Sequence, residues 1–146
     1  CIRDRYIIAD AEIDMTRNEP AIAAKKLSAK LEVNPGNHPL TMTYANALLQ
    51  AQQPHVAEEV LVAQSKIQPN DPGLWYLLAE VQGLSGNIAG LHQSRAEYFI
   101  LNGVLDEAQR QLNYALKLTR GDYVTTSRIK QRLQDIQRMR EQMEEF

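Results

Sequence analysis

The sequence predicts an all-α fold, an α-α superhelix or solenoid of about three to four helical hairpins that ends in a long capping helix. The first observation is a 34-residue repeat, because identical residues recur at that distance. These pairs are Ala23 and Ala57, Leu27 and Leu61, Pro35 and Pro69, and Ala45 and Ala79. Apolar residues also recur at three- and four-residue steps, the helical period, and Asn, Pro and Gly interrupt these runs. Stacked helix-turn-helix units of this kind usually present a surface to a partner.

The first four predicted helices form two pairs. The first helix of the first pair covers residues 3–17. The second begins near Pro20, which suits a first helical turn, and ends at Asn34-Pro35-Gly36. The second pair covers 40–50 and 56–67, with a turn at Gln52-Gln53-Pro54. Their apolar faces contain Ile7, Ile8, Ala11 and Met15, then Ala23, Ala24, Leu27 and Leu31, then Tyr44, Ala45, Leu48 and Leu49, then Ala57, Val60, Leu61 and Ile67.

The next three helices are predicted at 74–84, 88–101 and 105–118. Asn70-Asp71-Pro72 is a helix start signal, because the Asp71 carboxylate can accept from first-turn N–H groups, and Gly86-Asn87 is a stop signal. The distance from Ala79 to Ala96 is 17 residues, half a repeat. The helix that contains Ala96 is therefore expected to be the second helix of one pair and the first helix of the next.

A final helix is predicted at 122–144. It has Ile129, Leu133, Ile136 and Met143 on one side and dense charge elsewhere. A charged exterior is typical of a terminal cap, which a solenoid needs because its last repeat has no neighbour. We therefore assign residues 1–121 to the repeat array and 122–146 to a capping helix of the same domain.

Composition excludes two classes of partner. The 16 basic and 18 acidic residues give a formal charge of -2, so the basic footprint of a nucleic-acid-binding protein is absent. The longest apolar run, 74–79, is far shorter than the roughly 20 residues that cross a bilayer, so no transmembrane segment is expected. No targeting segment is visible either.

The single cysteine, Cys1, has no partner for an internal disulfide and no second thiol for a Cys-x-x-Cys motif. It could pair with a cysteine elsewhere, be the lipid-modified first residue of a mature lipoprotein, or be incidental. The sequence leaves these alternatives open.

Specific positions resemble the tetratricopeptide repeat. The run Trp75-x2-Leu78-Ala79-x2-Gln82 resembles the first-helix pattern W-x2-L-G-x2-Y, with Gln in place of the aromatic residue. The second-helix pattern A-x3-F is matched with leucine in its last position, at Ala23-x3-Leu27, Ala57-x3-Leu61 and Ala108-x3-Leu112. Small residues let paired helices approach closely, and the leucine fills the space beneath the next repeat.

A narrower resemblance covers the second half of the chain. Residues 74–80, Arg95-Ala96-Glu97-Tyr98-Phe99, Asn102-Gly103, Asp106-Glu107-Ala108 and the Arg-rich last helix are similar to the C-terminal repeat region of periplasmic M48 zinc metalloproteases, the β-barrel assembly-enhancing protease family. The resemblance implies a periplasmic protein with an upstream zinc protease domain. It also implies that the repeats contact that protease domain and the outer-membrane protein assembly machinery or its client barrels, a role in protein quality control.

The sequence itself contains no catalytic motif. The zinc signature His-Glu-x-x-His is absent, and His38, His55 and His92 are far apart in sequence. There is no nucleophile motif and no Gly-rich phosphate loop. We therefore expect these residues to be non-catalytic and to bind no cofactor, with zinc expected only in the upstream protease domain, and we expect a protein or peptide partner.

Resemblance and spacing place the first helices of the pairs on a concave face. The candidate partner-binding residues are Ile8, Glu12 and Met15, then Met42, Asn46 and Leu49, then Tyr76 and Glu80, with Gln93 and Glu97 from the shared helix. Their chemistry is mixed apolar and acidic. The alternative is that Met42, Leu49 and Tyr76 are core residues, since apolar residues at helical spacing usually are. The lysine of a carboxylate clamp is replaced by Ile8, Met42 or Tyr76, so a clamp is not expected.

The leading hypothesis is a non-catalytic protein-interaction domain of a periplasmic M48-type zinc metalloprotease that recruits or gates substrates. The alternative hypothesis is a free-standing tetratricopeptide scaffold or assembly lipoprotein with Cys1 as its anchor.

Overall fold

A computed structural model gives the fold. It describes residues 2–16 and 19–145, without the side chains of residues 2 and 14–16. Across these ranges the backbone forms eight α-helices and no strand. The helices are α1 (Ile2–Thr16), α2 (Pro20–Val33), α3 (His38–Gln50), α4 (Pro54–Ile67), α5 (Pro72–Ser85), α6 (Ile88–Leu101), α7 (Leu105–Leu118) and α8 (Tyr123–Glu144). The predicted all-α class is confirmed.

Prolines explain the largest differences between predicted and observed helix starts. Pro54 and Pro72 are the first residues of α4 and α5, and Pro39 lies in the first turn of α3. A first-turn proline has no N–H to leave unpaired, and its fixed φ suits helix entry. The predicted runs from residues 40, 56 and 74 each begin two residues late. The start signal predicted at Asp71-Pro72 is confirmed, since Asp71 accepts from the N–H of Gly73 at 2.9 Å and Pro72 is the first residue of α5.

Side-chain caps mark the starts of α3, α6 and α8. Asn37 accepts a hydrogen bond from the backbone N–H of Leu40 at 3.1 Å and so begins α3. Asn87 accepts from Gly90 at 3.0 Å at the start of α6, and Asp122 accepts from Thr125 at 3.1 Å at the start of α8. Each cap satisfies one backbone donor that has no partner inside the helix. The predicted end of α1 at Arg17 lies outside the described residues.

The chain divides into two compact units, Cys1–Pro69 and Asn70–Phe146, called unit 1 and unit 2 below. In unit 1, α2 packs against α1 and α3, α3 packs against α4, and α1 also contacts α3. Its core consists mainly of small and medium apolar side chains. These include Ala11, Ala23, Ala24, Leu27, Leu40, Ala45, Ala47, Leu48, Ala57 and Leu61. The predicted boundary between array and cap at 121/122 stays a prediction.

In unit 2 the helices pack in sequence order, α5 with α6, α6 with α7 and α7 with α8. Helix α6 has two buried faces made of small residues. On one face Ser94 donates to Oε1 of Gln82 on α5 at 2.6 Å. On the other face Ala96 joins a buried cluster with Leu112 of α7 and Ile129 of α8. This arrangement agrees with the expectation that α6 serves two helix pairs.

Helix α8 packs through a short apolar side. Ile129 and Ile136 are buried, and Leu133 and Met139 pack against the same cluster. Met143, predicted to extend this side, is 62% exposed and lies outside the cluster. Near the end of the helix, Arg140 forms an ion pair with Asp106 of α7 at 2.6 Å.

Candidate functional site

The residues predicted to line a concave face fall on four helices. Ile8 and Glu12 lie on α1, Met42, Asn46 and Leu49 on α3, Tyr76 and Glu80 on α5, and Gln93 and Glu97 on α6. The side chain of Met15 lies outside the described part of the chain. None of the other nine is fully buried. Tyr76 is 65% exposed and is therefore not a core residue, whereas Met42 and Leu49 are half-buried.

Two of these residues line a groove between α5 and α6. We call it the aromatic groove, and it has a volume of about 310 Å³. It is lined by Tyr76, Ala79, Glu80, Arg95, Tyr98 and Phe99. Residues three and four apart share one side of a helix, so 76, 79 and 80 meet 95, 98 and 99 across the helix pair. The small Ala79 keeps the floor open between the larger side chains.

The rings in the aromatic groove contact one another. The ring centroids of Tyr76 and Tyr98 are 5.6 Å apart with the planes tilted by 56°. Those of Tyr98 and Phe99 are 5.5 Å apart with the planes 71° apart, an edge-to-face arrangement. These separations lie in the range in which aromatic pairs attract. The three rings therefore form a continuous apolar wall.

Two opposite charges lie on the rim of the aromatic groove. Glu80 and Arg95 are both exposed, on α5 and α6 respectively. Neither forms an ion pair or a side-chain hydrogen bond with any residue in the described ranges. Both charges are thus available to groups outside this chain.

Gln93 and Glu97 line a different groove, which we call the polar groove. Its volume is about 250 Å³, and its lining residues come from α5, α6, α7 and α8. They are Trp75, Gln93, Glu97, Leu112, Arg128, Ile129 and Arg132. Because Leu112 and Ile129 are buried core residues, this groove lies directly over the core of unit 2.

An ion-pair network crosses the polar groove. The Arg132 guanidinium donates through Nε and Nη2 to the two carboxylate oxygens of Glu97, both at 2.7 Å, and through Nη1 to Asp135 at 3.1 Å. The hydrogen bond with Glu97 raises the pKa of Arg132. Burial raises the pKa of Asp135, but hydrogen bonds from Arg132 and Gln131 outweigh it and hold that pKa below its ordinary value of 3.8. Glu97 is therefore engaged in fixing α8 against α6.

The structure thus separates the four unit 2 candidates into two sites. Tyr76 and Glu80 belong to the aromatic groove, and Gln93 and Glu97 belong to the polar groove. The reason is helical geometry, since residues two apart project in nearly opposite directions on a helix. Gln93 and Glu97 therefore lie on a different side of α6 from Arg95.

Sequence reasoning missed Arg95, Tyr98 and Phe99 as site residues. They stand together in the run Arg95-Ala96-Glu97-Tyr98-Phe99, which was used only as a family signature. The available signal was the three- and four-residue spacing from Arg95 to the two rings, which predicts one shared helix side. What spacing alone does not show is that α5 presents Tyr76 to that side.

The histidines are separate from one another in the structure. Nδ1 of His38 lies 2.9 Å from Nε2 of Gln64, and Nδ1 of His92 lies 2.7 Å from Oε1 of Gln111. His92 also stacks near Tyr114 with a centroid distance of 5.3 Å. Throughout residues 2–16 and 19–145, no group of three or more His, Cys, Asp or Glu side chains is arranged to hold a metal ion.

The helices were also compared with the requirements of a membrane span. Over the described residues, none combines the length and apolar character needed to cross a bilayer.

Part of the chain matches a known family. Residues 15–81 match the family model described as tetratricopeptide repeat. The match covers just under half of the chain and supports the tetratricopeptide resemblance, and the helices described above are consistent with an all-α helical solenoid. Domains of this class are protein–protein interaction modules. The resemblance predicted from Trp75-x2-Leu78-Ala79 and the A-x3-F positions is confirmed.

The chain is also similar to particular proteins over most of its length. It is 27% identical over 135 residues to the β-barrel assembly-enhancing protease of Yersinia pestis, which is 92% of this chain and 28% of that protein. It is 27% identical over 143 residues to the protein of the same name from Escherichia coli strain K12, which is 97% of this chain and 29% of that protein. The chain thus spans less than a third of the length of these relatives.

A solved structure shows the same fold. The protein titled MamA RS-1 ArsTM double mutant superposes with a TM-score of 0.50 and covers 93% of this chain and 95% of its own. The sequence identity is 11%, so this likeness concerns the fold alone.

Proposed function

We propose that this chain is the non-catalytic recognition domain of a periplasmic M48-type zinc metalloprotease. In this role it recruits or gates substrates and contacts the outer-membrane protein assembly machinery or its clients. The observation that carries the proposal is the similarity to β-barrel assembly-enhancing proteases over 92–97% of the chain. The matched relatives are more than three times longer than the aligned segment, which leaves room for a protease domain in the parent protein.

The proposal divides the work between this domain and the protease domain. The paired helices of a tetratricopeptide domain bind protein partners, whereas hydrolysis needs a zinc site that the family builds from His-Glu-x-x-His. Zinc chemistry is therefore assigned to the parent's protease domain. The exposed and half-buried candidates on α1, α3 and α5 are proposed to contact the substrate or the assembly machinery.

The first test is the parent reading frame. We expect a secretion signal and a His-Glu-x-x-His motif upstream of residue 1. We also expect that chelation of zinc stops proteolysis by the parent protein. A frame that carries no zinc signature, with a lipoprotein processing site directly before Cys1, would instead support the free-standing scaffold or assembly lipoprotein.

The second test separates recruitment from catalysis in the purified parent protein. The variant Met42→Glu/Tyr76→Glu places charge on a half-buried and an exposed candidate. It is expected to lose cleavage of an outer-membrane barrel client while casein hydrolysis and helical content stay near wild type. The matched control is Val33→Glu/Tyr123→Glu, at positions 77% and 84% exposed outside the candidate set. Equal client cleavage by both double variants would contradict a recruiting role for these residues.

A further inference from the structure

The aromatic groove of unit 2 has features that a general binding role does not explain. It combines a wall of three contacting rings with one unpaired cation and one unpaired carboxylate on its two edges. We propose that this groove binds an extended segment of a protein partner, in which one aromatic side chain enters the groove and a neighbouring acidic residue pairs with Arg95. The inference rests on the proposed function in that it names the chemistry of the partner.

The size of the aromatic groove fits one large side chain. Its volume of about 310 Å³ lies at the lower end of the roughly 300–1,000 Å³ typical of ligand pockets. Tyr76 remains 65% exposed at the edge of the groove. A ring inserted here would pair with Tyr76 and Tyr98 and would bury apolar surface that now faces water. An aromatic anchor satisfies these conditions better than a charged or small side chain.

The charges on the rim define what lies beside that anchor. Arg95 precedes Tyr98 and Phe99 by three and four residues, so its guanidinium lies on the same side of α6 as the rings. Arginine presents a planar fork that matches a carboxylate with two hydrogen bonds. Glu80 lies on the α5 edge and repels a second acid there. The segment is therefore expected to place its acidic residue over α6.

A second groove in the chain provides a contrast. The groove between α2 and α3 in unit 1 is lined by Lys25, Glu32 and the single ring of Tyr44, together with alanine, serine, leucine and glutamine side chains. It has charges of both signs but no wall of contacting rings. Charge alone therefore does not distinguish the aromatic groove, and the ring wall next to Arg95 does.

The test measures peptide binding to the full 146-residue chain by fluorescence anisotropy. The probe is a fluorescein-labelled Gly/Ser peptide with one Phe followed by Asp. Three variant peptides replace the Phe with Ala, the Asp with Asn, or the Asp with Lys. The Phe-Asp peptide is expected to bind saturably, with roughly tenfold weaker binding after loss of its Phe, the size of effect typical of an interface anchor. The Asp→Lys peptide is expected to bind worst.

Variants of the chain assign the binding to the groove. Tyr76→Ala is expected to weaken binding of the Phe-Asp peptide roughly tenfold, because it removes one of the three rings of the aromatic groove. Arg95→Glu is expected to reverse the preference, so that the Phe-Lys peptide binds better than the Phe-Asp peptide. The matched controls are Tyr123→Ala and Arg120→Gln, which change exposed residues outside the groove and should leave both affinities unchanged.

The outcomes separate this inference from the proposed function. Absence of saturable Phe-Asp binding up to millimolar peptide, equal binding of the Ala-Asp peptide, or binding unaffected by Tyr76→Ala would each overturn the groove assignment. Loss of client cleavage in the Met42→Glu/Tyr76→Glu parent would still support recruitment in that case. Conversely, if Arg95→Glu binds the Phe-Lys peptide better than the Phe-Asp peptide, peptide binding by the aromatic groove is supported even where the parent protein is not a protease.

Discussion

Units 1 and 2 use the same repeat positions with different spacing. In unit 1, Ala23 and Leu27 of α2 are followed 34 residues later by Ala57 and Leu61 of α4, and all four are fully buried. In unit 2, Ala79 and Ala96 are 17 residues apart and both are buried. Helix α6 lies in the half-length step and has small buried residues on two faces, Ser94 towards α5 and Ala96 towards α7 and α8. Both units bury polar side chains, but Gln64 of unit 1 contacts a histidine, whereas Gln82 of unit 2 accepts from the serine of α6.

The position of Gln82 shows this difference directly. In the 34-residue frame it corresponds to Leu48, which is buried in unit 1. Gln82 is equally buried but accepts a hydrogen bond from Ser94 of α6. A Cβ added to Gly90 of α6 would lie 2.7 Å from Nε2 of Gln82, too close for any other residue without a shift. The polar pair and the glycine together allow α6 to approach α5 closely.

The largest expected effect tests whether the two units depend equally on the repeat leucine. Leu61→Ala in unit 1 and Leu112→Ala in unit 2 each remove a side chain that is at most 2% exposed. Each is expected to lower the free energy of unfolding by about 2–5 kcal/mol, because it loses burial and leaves a cavity. The measurement is urea unfolding followed by circular dichroism for the whole chain and by the fluorescence of the single tryptophan, Trp75, for unit 2. A loss below about 1 kcal/mol at either site would show that its leucine does not fill the core as described.

An intermediate effect is expected where the two units differ in polarity. Ser94→Ala leaves the buried Gln82 side chain without its donor and is expected to cost about 1–3 kcal/mol. Gln82→Leu/Ser94→Ala removes both partners and restores the leucine found at position 48. This double variant should be more stable than Ser94→Ala alone, as judged by urea midpoints. If the double variant is less stable than both Gln82→Leu and Ser94→Ala, a leucine as at position 48 cannot replace the hydrogen bond between Gln82 and Ser94.

The smallest expected effect concerns helix caps and pH. The cap of α8, Asp122, has a pKa below its ordinary value of 3.8, first because of its hydrogen bonds with the side chain and backbone of Thr125. The stabilisation is therefore complete above pH 3.8 and is lost as pH falls through the lower folded-state value. The cap of α3 in unit 1 is Asn37, which does not titrate.

The control for this effect is Asp122→Asn, which retains a capping oxygen but not the proton equilibrium. Thermal midpoints measured from about pH 6 to about pH 2.5 should fall more steeply for the wild type than for this variant, and only below about pH 4. If the thermal midpoints of the two proteins fall in parallel as the pH is lowered, the protonation of Asp122 does not cause the loss of stability.

Much of the fold could be predicted from the sequence because it follows from local signals. Periodicity, the 34-residue repeat and the Asn, Gly and Pro breaks gave eight helices in the correct order, and the Ala-x3-Leu positions are buried as expected. Helix starts were less accurate at Pro39 and Pro54, where a proline signals both a turn and a first helical turn.

The candidate site was less predictable, because periodicity assigns a residue to a helix side but not to the neighbour that covers that side. Gln93 and Glu97 share one side of α6, and their contact with an outside partner stays a prediction. Glu97 pairs with Arg132, 35 residues later in the chain, and no local pattern predicts an ion pair at that distance. Arg95 was passed over for the same reason, since its groove exists only because α5 presents Tyr76.

The two buried faces of α6 have a consequence for how unit 2 assembles. Gly90 and Ser94 are buried on the side of α6 that faces α5, and Ala96 is buried in the cluster with α7 and α8, so α6 is fully packed only when both α5 and α7 are in place. A chain truncated after Leu101 would leave Ala96 and its surroundings in water, and one that began at Ile88 would leave Ser94 there. The four helices from Pro72 to Glu144 are therefore expected to fold in a single cooperative transition, without a stable intermediate that stops at α6.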